Sequence, residues 1–146
     1  MSDKSAIATE MFLKGFSCAQ SVFYAFREVG GLNEDTALKI AGGLGAGMGG
    51  KEEVCGAVTG GILVLGMLHG RGIKDDSKST ELTYQKTREL MECFAAKNGS
   101  YICRQLLDGC DLTTKEGHSK FKEKDMRNTV CKGCVQSVVA ILENIK

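Results

Sequence analysis

The sequence predicts an all-α, single-domain helical bundle, and three observations predict it. The long apolar patterns recur at three- and four-residue spacing, and no turn-bounded run alternates apolar with polar residues. Proline is absent, which removes the commonest helix breaker and leaves punctuation to glycine. Twelve of the nineteen glycines fall between Gly42 and Gly72, so the apolar helix in that region is expected to be the centre that the others pack around. At 146 residues the chain suits one domain, 1–146, with a core that needs no disulfides.

Taken in order, Asp3 to Lys14 carries Ile7, Ala8, Met11 and Phe12 on one face and stops at Gly15. Ser17-Cys18-Ala19-Gln20 is a capping box that opens a second helix, with the stripe Cys18, Val22, Ala25, Phe26 and Val29 and a stop at Gly30-Gly31. Asn33 can cap a third helix reaching about Gly43. The glycine segment 42–50 then leads to an apolar helix from about Val54 to His69, in which Gly56, Gly60 and Gly66 let another backbone approach. After a polar turn at Lys74 to Ser77, a long helix runs to about Lys97, with Leu82, Leu90, Met91, Phe94 and Ala95 as its core side and Asn98-Gly99 as its stop. Ser100 can cap a short piece holding Cys103, and Asp111 to Asp125 is polar and weakly periodic. The last helix reads through Val135, Val138, Val139, Leu142 and Ile145.

Charge excludes some functions. Nineteen basic against eighteen acidic residues, with no basic run, give no reason to expect a nucleic-acid or anionic-membrane partner. The longest apolar run, Val54 to Leu68, falls short of the ~20 residues that span a bilayer. The start, Met1-Ser2-Asp3-Lys4, is charged and no signal-type apolar stretch follows, so the expected location is cytoplasmic. Seven cysteines in a reducing compartment point to metal binding, catalysis or redox exchange.

Several motifs fail on context. Gly45, Gly47 and Gly50 match a dinucleotide fingerprint, and Gly45 to Lys51 matches most of a P-loop. No strand precedes them, and Glu52 stands where the metal-binding Ser or Thr belongs, so they read as a tight interhelix connection. Cys131-Lys132-Gly133-Cys134 is a C-x-x-C pair without the βαβ setting of a thioredoxin, and Val135 in place of His excludes c-type haem attachment. A zinc ribbon would want a second such pair, whereas Cys103 and Cys110 are six residues apart. Cys93 reads as a small buried hydrophobe beside Leu90 and Phe94, and neither His69 nor His118 is given a role. No Ser, His and Asp grouping supports ordinary hydrolysis, so whether the chain is an enzyme stays open.

The remaining signal is positional. Cys18, Cys55, Cys103 and either Cys131 or Cys134 fall in or near the first turn of a predicted helix, where unpaired N–H groups and the helix dipole favour thiolate. Cys18 to Val22 is also echoed by Cys134 to Val138, with Gly133 as a candidate N-cap.

These residues resemble the C_GCAxxG_C_C family, which is called redox-active on its four spaced cysteines. The likeness covers about Ser5 to Ile145 and rests on five pieces: 17–20, the glycine run 43–49, Val54 to Gly60, Cys103 to Leu107, and Cys131 before the last helix. The chain differs at the second cysteine, where Cys55-Gly56 reverses the family's Gly-Cys order, and Cys93, Cys110 and Cys134 lie outside the pattern. Similar segments in split-Soret-type cytochromes imply an iron-sulfur centre. The resemblance thus implies that Cys18, Cys55, Cys103 and Cys131 meet at one catalytic or metal site, with Cys134 a further cofactor-binding candidate. The expected function is electron transfer or redox sensing, through an iron-sulfur cluster or reversible thiols, with an unidentified redox partner protein and a homodimer left open. The rivals are a zinc or other structural metal-binding module and an interaction domain with inert cysteines.

Overall fold

The computed structural model describes residues 2–146; Met1, which enters only through the charged start, lies outside the described residues. Among the described residues there are eight α-helices and no strand, only one isolated antiparallel bridge between Val54 and Ile102. The all-α expectation is met.

Local capping explains the helix starts. The Ser2 hydroxyl accepts the Ser5 N–H ahead of α1 (Asp3–Leu13). At α2 (Cys18–Ala25) both halves of the predicted capping box form, Ser17 Oγ accepting from the Gln20 N–H at 3.2 Å and Gln20 Oε1 from the Ser17 N–H at 3.1 Å. A tighter 3-10 turn, Arg27–Gly30, then takes over; its three-residue period swings Val29 out of the predicted stripe, leaving it 40% exposed. Asn33 caps α3 (Glu34–Ile40) through the Thr36 N–H. α4 spans Gly56–His69, and α5, Ser77–Asn98, ends on left-handed Gly99 as predicted. Leu82 on α5 is exposed rather than core, because the helix buries fully only Leu90 and Phe94 near its C-terminal end.

The expected short piece at Cys103 is a helix, and the weakly periodic stretch after it holds another. α6 (Cys103–Leu106) has no side-chain cap, although Ser100 Oγ accepts the Ile102 N–H just before it. α7 (Lys115–Glu123) is capped by Thr114 Oγ on the Gly117 N–H. Its apolar content is too thin to give a clear period, which is why its sequence reads only as polar and weakly periodic. α8 (Lys132–Ile145) is preceded without a break by a π-helical turn, Arg127–Cys131. Gly133 is therefore inside a helix and caps nothing.

No single helix holds the middle alone. α2 packs on α1, α3, α4 and α8, while α4 packs on α2, α5 and α8. The main core includes Phe12, Phe23, Phe26, Leu65, Phe94 and Val138. Cys103, Leu107, Cys110 and Met126 form a second, smaller cluster beneath α6 and α7. Val130 and Cys131 pack against both, so the two cores meet along a seam at the π-helical turn.

The glycine segment proves to be a left-handed turn. After a 3-10 piece at Gly42–Leu44, Ala46, Gly47, Met48, Gly49 and Gly50 all have φ between +49° and +79°, and Glu52 follows at +59°. Such a run is rare because left-handed backbone costs an L-residue about 1–2 kcal/mol. Glycine is compulsory at position 47 for a second reason: a Cβ there would sit 2.5 Å from the Glu52 Cα and the Glu53 nitrogen. Backbone bonds from the Glu52 N–H to the Ala46 oxygen and from the Glu53 N–H to the Gly47 oxygen close the loop. It places Ala46 in the wall of a cavity and ends at the buried Glu52.

Candidate functional site

Five cysteines reach one cavity of about 140 Å³ at the seam of the two cores, brought there by four local devices. Cys18 is the first residue of α2, set by the capping box. Cys55 holds the N-cap position of α4, with its N–H donating to the Tyr101 oxygen at 2.8 Å. Cys103 opens α6 with its N–H on the Glu53 oxygen at 2.6 Å. Those two bonds flank the Val54–Ile102 bridge, which lays the Cys55 and Cys103 segments side by side across 48 positions of sequence. Cys131 and Cys134 are three apart on one helix and so share a face.

The thiols are organised in pairs. The free thiols of Cys18 and Cys131 act on each other as hydrogen-bonding neighbours, as do those of Cys55 and Cys134. Within each pair one thiol is pushed up and the other down. The hydrogen bond to Cys131, reinforced by burial, holds Cys18 well above its ordinary value, while the same bond and then the charge of Arg127 lower Cys131. Cys134 is raised by its bond to Cys55 and by burial. Cys55 is lowered by that bond and by the backbone N–H groups of Ala57 and Val58 at the start of α4. Cys103 belongs to neither pair; burial pushes it up to about 12.

Three sequence expectations change. Cys18, Cys55, Cys103 and Cys131 do line one cavity. Cys134 lines it with them, as a full member rather than a substitute for Cys131. Cys131 is not at a helix start: its φ of −63° and ψ of −41° continue the preceding π-helical turn, so its lowered value owes nothing to a free helix terminus. Cys93 is exposed, contrary to the buried reading, because the core covers only a narrow strip of α5 centred on Leu90 and Phe94. Cys110 is buried outside the cavity, its thiol donating to the Gly117 oxygen at 2.8 Å. All seven cysteines are free thiols. Among the described residues no three His, Cys, Asp or Glu side chains are grouped to hold a single metal ion.

The family model described as "Putative redox-active protein (C_GCAxxG_C_C)" matches residues 16–145. The chain belongs to the C_GCAxxG_C_C family. No curated protein and no solved structure matches it. The family's description as redox-active therefore meets a cavity lined by five thiols in this member.

Two charged residues beside the cavity were missed by the sequence reading. Glu52 is 2% exposed; its Oε1 accepts the Leu112 N–H at 2.8 Å and lies 3.4 Å from Arg104, while its Oε2 has no partner. Arg127 lies in the cavity wall itself. Its signal was available, since it stands one helical turn before Cys131, but only to a reading that extended the last helix backwards. Among the described residues no helix is long and apolar enough to cross a membrane.

Proposed function

We propose that the five-thiol cavity is a redox centre in which Cys18 with Cys131 and Cys55 with Cys134 act as two two-sulfur sites. The observation that carries the reading is this pairing on one largely apolar cavity. Each iron of a [2Fe–2S] cluster takes two protein sulfurs. Metal–sulfur bonds of about 2.3 Å at tetrahedral angles hold two sulfurs about 3.8 Å apart, close to the reach of a thiol hydrogen bond. The donor set and its pairing therefore fit such a cluster, which when bound supplies one-electron transfer. The chain's own part is to present the four sulfurs, to favour their thiolate forms at Cys55 and Cys131, and to keep water out with Phe12, Leu106, Leu107 and Phe121. Cys103 stands by as a fifth thiol.

A second reading, reversible disulfides at the same pairs, is favoured by their asymmetry. One thiolate-prone and one proton-holding member is the arrangement that thiol–disulfide exchange uses. Zinc has less support, because it wants three or four ligands around one point and the described residues offer no such group. In either redox reading the chain serves electron transfer or redox sensing in the cytoplasm, with a partner protein as donor or acceptor.

Anaerobic purification, iron and sulfide analysis and a visible spectrum test the proposal. About two irons and two sulfides per chain, with a broad visible absorbance lost in C55S and C134S, support the cluster. Metal-free protein that forms Cys18–Cys131 or Cys55–Cys134 disulfides under mild oxidant supports the thiol reading. Colourless protein with bound zinc, or thiols inert to oxidant, sinks both.

A further inference from the structure

Among the described residues lining the cysteine cavity, Arg127 is the one with a permanent charge. Its surroundings fix it. The guanidinium lies 3.8 Å from the centroid of the Phe12 ring and donates through Nη2 to the carbonyl oxygens of Phe12 and Phe16, the latter at 3.1 Å. Stacking on a ring and bonding to one carbonyl in the last turn of α1 and another just past it leave it little freedom to swing into solvent. The rest of the wall is thiols, one hydroxyl, glycine, alanine and larger apolar side chains. A single held cation thus shares the wall of this cavity with five thiols and few other polar groups.

We propose that Arg127 is the counter-charge of the redox centre and holds its reduction potential up. The proposal rests on the redox reading above but not on the choice between its two forms. Reduction of a disulfide takes two electrons and a proton, Cys–S–S–Cys + 2e⁻ + H⁺ → Cys–S⁻ + Cys–SH, and creates a negative charge on the thiolate. One-electron reduction of a metal centre likewise leaves it one charge more negative. In both cases the reduced state gains more from a neighbouring cation than the oxidised state does, so the sign of the effect is the same. Arg127 is thus a positioning residue, acting on the sulfurs through its field.

A plain structural role is the alternative, since the same side chain caps α1, and the test must separate the two. The potential of the full-length protein is measured anaerobically, by visible absorbance against redox dyes if the chain is coloured, and otherwise by thiol trapping against dithiothreitol buffers. Wild type is compared with R127K, which keeps the charge but loses the planar guanidinium, and with R127Q, which loses the charge. We expect R127Q to favour the oxidised state by about tenfold, about 30 mV for a two-electron couple or 59 mV for a one-electron couple, and R127K to stay within about threefold of wild type. An R127Q potential equal to wild type overturns the proposal, as does an R127K shift as large as that of R127Q, which would mark a structural role. Should R127Q fail to fold, F12L removes the ring beneath the guanidinium while leaving the charge free to retreat into water; it must then shift the potential in the same direction, and an unmoved value overturns the proposal. A wild-type protein with no redox couple at all defeats the functional reading itself, an outcome distinct from all of these.

Discussion

A methyl group at position 60 tests how the helices are spaced and how that spacing builds the site. In an exposed helix interior, replacing glycine with alanine gains about 1 kcal/mol of helix propensity. At Gly60 the new Cβ would lie 2.7 Å from the Ala19 oxygen, 3.0 Å from its Cα and 3.2 Å from its carbonyl carbon. All three are backbone atoms, which have no rotamer to yield. Ordinary contact begins near 3.4 Å, so α2 and α4 must part by several tenths of an ångström. Overpacking of this kind costs about 1–3 kcal/mol, which cancels or outweighs the propensity gain. Gly66, on the same helix, has nothing within 4 Å of its Cβ position and should show the gain alone. The expected gap between Gly60→Ala and Gly66→Ala is therefore about 2 kcal/mol, or about 6 °C in melting temperature for a chain of this size. Gly60→Leu should fall lower still. Thermal melts followed by far-UV circular dichroism measure all three. The spacing also governs the chemistry, because Ala19 follows Cys18 and the Cβ position of Gly56 is 3.4 Å from the Cys18 Cβ. Gly60→Ala should thus weaken cofactor binding or disulfide formation as well. Equal upward shifts in the two alanine variants would refute the close-approach account of the α2–α4 contact.

Three further outcomes are expected. Single Ser replacements at Cys18, Cys55, Cys131 and Cys134 should each abolish metal binding or the matching disulfide, while Cys93→Ser, altering an exposed residue outside the cavity, should leave both intact; metal analysis and thiol mapping decide, and a damaging Cys93→Ser or a harmless Cys134→Ser contradicts the pairing. Cys103 keeps its proton up to about 12 in the folded protein against an ordinary 9.0, so between these values the unfolded chain binds fewer protons and stability must fall as pH rises. Melts of Cys103→Ala should show a shallower decline over that window than wild type, and parallel curves would count against the burial effect. Glu52→Leu removes the acceptor of the Leu112 N–H and strands that donor, which costs about 1–3 kcal/mol; amide exchange at Leu112 should accelerate, and unchanged protection would show that the carboxylate is not what anchors the segment between α6 and α7.

How much of this was legible beforehand depended on the range of the interaction involved. Helix starts at Ser17 and Asn33 and the stop at Gly99 were read correctly, because a cap is made by residues two to four positions apart and their identities are written side by side. The helical spacing of apolar residues likewise gave the fold class. The convergence of Cys18, Cys55, Cys103 and Cys131 was expected from their positions and the family resemblance, yet nothing local to any of them specifies the others as neighbours. α7 escaped notice because it has almost no apolar period, and Cys93 was misread because period alone does not say how much of α5 the core will cover.

By itself the sequence determined most of the helices, the caps at Ser17 and Asn33, the crowding of glycine into one segment and the presence of thiols without a conventional catalytic motif, all consequences of short-range backbone and side-chain chemistry. Only the tertiary structure decided the rest. It brought Cys134 to the same cavity as Cys18, Cys55, Cys103 and Cys131, and it set the left-handed run at 46–50 and the position of Arg127 against Phe12. These depend on where α2, α4 and α8 cross and on how closely glycine lets them approach, and a crossing is fixed by the simultaneous packing of residues far apart in the chain, which no window of sequence contains.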